Sequence, residues 1–138
     1  MQVYSKSYLD GIVKTQGELF DFFARRYPDC DTADFITEYM NGKTRADIDA
    51  GQAYVCTMNS DELMQWYLGK SAYQTKPGES MKGFLPDWIG RFYAYYQWAT
   101  QVSSRDTIKA VPISFMKLAY PGLHDLDLRL AVKKVSGN

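Results

Sequence analysis

LPDWIGRFYAYYQW, residues 85–98, is the densest aromatic segment of the chain, with six aromatic rings among its last eleven residues. At about 100° per residue, a helix through this segment is apolar over more than half of its circumference. Its polar remainder is a narrow strip of Gly90, Gln97 and Gln101. A helix with so wide an apolar surface must be covered on several sides. We therefore expect a helix over residues 87–101 at the centre of the fold.

A second long helix is predicted over residues 5–26, where apolar side chains recur at helical spacing on one face and charged ones on the other. This pattern ends at Tyr27, because Pro28 disfavours helical backbone at the residue before it. Shorter helices are predicted where weaker apolar periodicity follows an N-cap residue or a proline: residues 33–40, 45–58, 60–68, 105–110 and 113–120. The chain is therefore expected to be all-α.

Two segments are less regular. Residues 69–83 form the one long predicted loop, and loops of this length are often functional or mobile.

Residues 124–135 alternate apolar and polar side chains, which is typical of a strand. No other segment is predicted as a strand, so a strand here would leave its backbone hydrogen-bonding groups unpaired. Acidic residues at the start of the segment and lysines at its end also suit the dipole of a helix. A helix is therefore favoured there, after a break at Pro121-Gly122.

Composition limits the class of protein. The chain has 138 residues, of which 46% are hydrophobic and 23% charged, as expected for one globular domain over 1–138. Sixteen basic and 16 acidic residues give a net charge of zero, which argues against nucleic-acid binding. No apolar run suits a signal peptide or a membrane span. Two cysteines without metal-binding or disulfide-scaffold spacing predict reduced thiols and a cytoplasmic protein.

Catalytic chemistry has one candidate, His124, which precedes Asp125 and is the only histidine. A neighbouring carboxylate can orient an imidazole for acid–base work. The alternative is that Asp125 caps a helix and His124 packs against it. The acidic pairs at 47/49 and 125/127 have i, i+2 spacing, which points the side chains to different sides of a helix. We expect solvated helix termini there, and no metal, cofactor or catalytic set.

The surplus of tyrosine and tryptophan favours binding over catalysis, because these residues are common interface anchors. The first hypothesis is a protein-interaction or regulatory module with a protein partner or a second copy. The alternative is a small enzyme or ligand-binding domain with a pocket near His124 and the aromatic helix 87–101. Candidate ligand or interface residues are Trp88, Arg91, Tyr95, Trp98, His124 and Asp125.

Four segments of the chain, residues 35–41, 45–49, 87–98 and 120–135, resemble a group of short bacterial proteins of unknown function. Such proteins accompany toxin-like or mobile-element genes. The resemblance covers most of the chain and implies an antitoxin or accessory role. It brings no catalytic residues to any position of this sequence.

Overall fold

The computed structural model describes residues 3–137, which form nine α-helices and no β-strand. This confirms the predicted all-α domain built around two long helices. The helices are α1 Lys6–Arg26, α2 Thr32–Asn41, α3 Lys43–Asp49, α4 Ala53–Cys56, α5 Ser60–Lys70, α6 Leu85–Thr100, α7 Ser104–Ala110, α8 Ile113–Leu123 and α9 Leu128–Ser136. Among these elements, α1 and α6 make the most extensive contact, and they form the centre of the fold.

The polar strip of α6 does not face solvent. Two of its three residues, Gly90 and Gln97, are buried. Gly90 lies against the backbone of Gln16 in α1, where a side chain would not fit. Gln97 is buried, and its amide nitrogen donates hydrogen bonds to Asp49 Oδ1 and to the Val102 carbonyl inside the protein. These two residues allow α6 to be covered on nearly every side.

A buried polar network joins α1, α3 and α6. Arg45 is fully buried, and it donates hydrogen bonds to Asp49 Oδ1 and Gln16 Oε1, both at 2.7 Å. The Asp49 carboxylate also accepts from Gln97 Nε2 at 2.8 Å and from the backbone N–H of Ser104 at 2.9 Å. Buried charges are tolerated when they are paired and hydrogen-bonded in this way.

The network corrects one sequence-based expectation. Asp49 was predicted at a solvated helix terminus, but it is buried because its carboxylate neutralises the Arg45 guanidinium. Asp47 instead pairs with the exposed Lys43 at 3.0 Å. The i, i+2 spacing thus sends the two carboxylates to different sides of α3, as expected. Of the two basic residues of α3, Lys43 is exposed and paired with Asp47, whereas Arg45 is buried.

Aromatic rings from α1, α2 and α5 form a second part of the core. Phe23 and Phe35 stack with ring centroids 4.0 Å apart, and Tyr39 and Tyr67 pack edge to face at 5.1 Å. All four rings are buried. Burial raises the pKa of the Tyr67 hydroxyl to about 12 and that of Tyr39 further still. These rings fix α2 and α5 on α1.

Two predicted helix bounds are wrong. The helix expected over residues 45–58 is divided into α3 and α4, because Gly51 adopts a left-handed conformation with φ of 76°. The break expected at Pro121 does not occur, and α8 continues through it to Leu123. Proline removes one intrahelical hydrogen bond. The last turn is nevertheless completed by His124, which donates its backbone N–H to the Tyr120 carbonyl at 2.9 Å.

The long loop, residues 71–84 in the structure, is bound to the start of α2. Residues 69 and 70, which were predicted to belong to it, complete α5 instead. Ser80 and Met81 are buried; the Ser80 hydroxyl donates to the Ala24 carbonyl at 2.7 Å, and Met81 N–H donates to Thr32 Oγ1 at 3.0 Å. The loop is therefore anchored at its C-terminal half.

The segment 124–135 is helical from Leu128 onwards, which confirms the favoured interpretation. Asp127 is its N-cap and accepts from Arg129 N–H at 3.0 Å. Asp125 was the expected cap and does not have that role. Ala131 and Val132 are buried where α9 packs on α6, so the alternating apolar residues serve a helix rather than a strand.

Candidate functional site

Three of the six candidate residues lie together. Trp88 and Arg91 from the first turns of α6 and His124 from the end of α8 line one cleft with a volume of about 350 Å³. We call it the corner cleft. Its lining residues are Phe84, Asp87, Trp88, Arg91, Tyr120, His124, Leu126 and Leu128.

Aromatic contacts shape the inner wall of the corner cleft. The Trp88 and Tyr120 rings pack edge to face with centroids 5.4 Å apart, and Tyr120 stacks on His124 at 4.4 Å. The Tyr120–His124 pair follows from their i, i+4 spacing on α8. The cleft is therefore held by contacts between α6 and the end of α8, and its inner surface is largely aromatic.

Charged groups of both signs line the same cleft. Arg91 Nε donates to Asp87 Oδ2 at 2.8 Å, and both side chains are partly exposed. This i, i+4 pair leaves further guanidinium N–H groups and one carboxylate oxygen of the pair available to a bound molecule. The corner cleft thus combines an apolar wall with one donor group and one acceptor group.

His124 is less available for chemistry than its position implies. Its Nδ1 lies 2.7 Å from the Tyr120 carbonyl oxygen, which only accepts hydrogen bonds, so Nδ1 carries a hydrogen. Its Nε2 lies 3.2 Å from Asp125 Oδ1. Both ring nitrogens therefore face oxygen atoms of the protein itself. A general base needs a free nitrogen within reach of its substrate, and Nε2, beside the exposed Asp125 carboxylate, is the one nitrogen of His124 left for that role.

The other three candidates lie outside the cleft. Tyr95 and Trp98 pack edge to face at 5.9 Å near the end of α6, and Tyr95 lines a shallow groove of about 140 Å³ beside α9. Asp125 contacts His124, but its side chain is 86% exposed and does not line the cleft. The six residues therefore do not form one site.

A larger pocket of about 580 Å³ was not anticipated from the sequence. It lies between α3, α4 and α5, and we call it the lysine–aromatic pocket. Its lining residues are Lys43, Thr44, Asp47, Tyr54, Trp66, Tyr67, Lys70 and Ser71. One signal for it was present in the sequence, because Trp66 and Lys70 have the i, i+4 spacing that places a cation beside an aromatic ring.

Residues 3–137 have neither a metal-binding cluster nor a membrane-spanning helix. No group of three or more His, Cys, Asp or Glu side chains there is arranged to hold a metal ion. Over the same residues, no helix has both the length and the hydropathy needed to cross a membrane. No protein-family model, curated protein or solved structure matches the chain.

Proposed function

We propose that the chain is a protein-interaction module and that the corner cleft is its contact surface. The observation that carries this proposal is Phe84, which is 73% exposed on the rim of a cleft with an aromatic inner wall. Aromatic side chains are enriched at protein interfaces, and anchors that fill pockets contribute most of the binding energy. An exposed ring beside an aromatic recess is the surface of such a module.

The occupant to which we commit is a second copy of the chain. A two-fold interface brings the same patch of both copies together, so the patch must be complementary to itself. The corner cleft meets this requirement, because Phe84 is an exposed ring and the recess beside Trp88 and Tyr120 can receive one. Asp87 and Arg91 also place both signs of charge on the patch, which allows matched pairing across a two-fold axis.

Sedimentation velocity from about 1 μM to about 300 μM protein tests the proposal over the range of a weak, reversible pair. We expect the wild-type chain to pass from monomer to dimer. Phe84→Asp should remain monomeric, because it would bring charge into the apolar recess. Leu118→Asp is the matched control: Leu118 is 82% exposed but does not line the cleft, so this variant should dimerise like the wild type.

Two results would overturn this assignment of the occupant. A wild-type chain that stays monomeric at the highest concentration excludes a second copy and leaves the cleft to a different protein. A chain that dimerises equally well with Phe84→Asp uses another surface. Circular dichroism of each variant establishes that the fold is kept, which is expected because both substituted side chains are largely exposed.

Ligand binding at the corner cleft is the second candidate, and the cleft volume favours it. About 350 Å³ lies within the range of small-molecule sites, which begins near 300 Å³. An enzymatic role at His124 has less support, since both ring nitrogens contact oxygen atoms. A small molecule that shifts the NMR signal of the Trp88 indole in a monomeric chain would favour this candidate over the dimer.

The antitoxin-like role and the cytoplasmic location belong to the same proposal. Cys30 and Cys56 are both free thiols, which suits a reducing compartment. An antitoxin acts by binding its toxin, so this role would require a second contact, outside the corner cleft, with a protein of different sequence. Co-purification of a toxin-like protein with both the wild-type chain and Phe84→Asp would support it.

A further inference from the structure

We infer that the lysine–aromatic pocket binds a small aromatic anion, namely a ring system that carries one carboxylate or sulfonate group. This site is separate from the corner cleft, and the inference does not depend on the interaction proposed there. Its volume of about 580 Å³ is in the middle of the range for small-molecule pockets, about 300–1,000 Å³.

The walls of the pocket suit an aromatic body. Tyr54 and Trp66 pack edge to face with centroids 5.5 Å apart, and the buried Tyr67 also lines the pocket. Tyr54 is 49% exposed although its ring is large and apolar. A planar ligand that packs against Tyr54 and Trp66 would remove this surface from water and gain the edge or stacking geometry that aromatic pairs prefer.

The charges select an anion. Lys43 Nζ contacts both carboxylate oxygens of Asp47, at 3.0 and 3.2 Å, so this pair has no net charge. Lys70 Nζ lies 4.7 Å from the centroid of the Trp66 ring. Among residues 3–137, no carboxylate forms an ion pair with Lys70. Lys70 is therefore the surplus positive charge beside the aromatic wall, and one anionic group on the ligand would neutralise it.

The walls of the pocket are built largely on helices. Lys43 and Asp47 lie on α3, whereas Trp66 and Lys70 lie one turn apart on α5. The N-terminus of α5 is fixed by a capping box at Asn59. Side chains held on helices lose little backbone freedom on binding, which favours measurable affinity for a small molecule.

NMR titration with 8-anilino-1-naphthalenesulfonate, an aromatic monoanion, tests the inference through the signal of Trp66, which lines the pocket. The chain has three tryptophans, whose indole N–H signals can be assigned with Trp→Phe variants. We expect a saturable shift of the Trp66 signal, with the Trp98 signal unchanged. The Trp88 signal reports on the corner cleft, so binding there would be seen separately. A shift confined to Trp88, or no saturable shift at Trp66, would overturn the inference.

A charge comparison tests the role of Lys70. Lys70→Gln should weaken binding of the sulfonate about threefold to fivefold, the range expected for an exposed ion pair. Binding of the uncharged N-phenyl-1-naphthylamine should not change in this variant. Lys109→Gln, on the exposed surface of α7, is the matched control and should leave both affinities unchanged. If Lys70→Gln affects the two probes equally, the pocket does not select an anion.

The contribution of the aromatic wall is tested by Tyr54→Ala. This variant should weaken both probes about fivefold or more, because it removes the ring from one side of the ligand. Tyr54 is about half exposed, so this substitution should change the stability of the fold only slightly. Unchanged affinities in Tyr54→Ala would place the probes outside the pocket and contradict the inference.

Discussion

Gly90 and Gln16 contact each other through both backbone and side chain where α6 crosses α1. The Gln16 side-chain amide donates a hydrogen bond to the Gly90 carbonyl oxygen at 2.7 Å. The backbones are also close together: a Cβ atom added to Gly90 would lie 2.5 Å from the Gln16 carbonyl oxygen, which is too close for a side chain. The close approach of the two long helices therefore depends on a glycine at this position.

Gly90→Ala should destabilise the fold by about 3 kcal/mol, because the methyl group would force the two central helices apart. Gly11→Ala is the matched control, since Gly11 lies in α1 with open space where its Cβ would be. That change should stabilise the protein by about 0.5–1 kcal/mol through helix propensity. Urea unfolding of both variants gives the comparison. Equal effects of the two substitutions would contradict the proposed steric role of Gly90.

Helix positions follow from local sequence signals more reliably than helix contacts do. The N-cap signal before residues 60–68 and the long apolar face over residues 5–26 predicted real helices, α5 and α1, because caps and periodicity act within one helix. Burial of Gly90 and Arg45 could not be predicted in this way. A glycine or an arginine counts as polar surface in a periodicity analysis unless its partner on another helix is known.

The same distinction applies to the candidate sites. Trp88 and Arg91 share a helix face near its start, and the corner cleft contains both. The lysine–aromatic pocket depends instead on the break at Gly51, which turns α4 so that Tyr54 meets Trp66. The sequence predicts one helix over residues 45–58 with no such break, so the pocket was not predicted.

Asp49→Asn should destabilise the protein by about 3–5 kcal/mol, because it leaves the Arg45 guanidinium buried without a counter-charge. Asp47→Asn is the matched control on the same helix. Its partner Lys43 is exposed, so the loss should be below about 1 kcal/mol. Thermal and urea unfolding measure both values. A small effect of Asp49→Asn would mean that the network of Arg45, Gln16 and Gln97 does not depend on the charge of Asp49.

Thr32→Val should loosen the C-terminal half of the 71–84 loop. Thr32 is fully buried, and its hydroxyl oxygen accepts the Met81 N–H; without it, this buried N–H loses its partner at a cost of about 1–3 kcal/mol. Hydrogen exchange at the Met81 amide should then become about tenfold faster or more. Thr57→Val is the control, because the Thr57 hydroxyl bonds only within its own helical turn. Unchanged exchange at Met81 would show that other contacts hold the loop.

Alkaline pH should destabilise the fold through its buried tyrosines. Burial raises the pKa of Tyr67 to about 12, against an ordinary value of 10.0, and it also raises the pKa of Tyr39 and Tyr93. The unfolded chain therefore loses these protons first as pH rises. The free energy of unfolding keeps its full value below about pH 10. It falls between pH 10 and 12, by up to about 1.4 kcal/mol per pH unit for each tyrosine.

Urea unfolding at pH 8 to 11.5 should show this decline, and Tyr67→Phe should make the decline shallower. A flat profile, or an unchanged slope in Tyr67→Phe, would contradict the assignment.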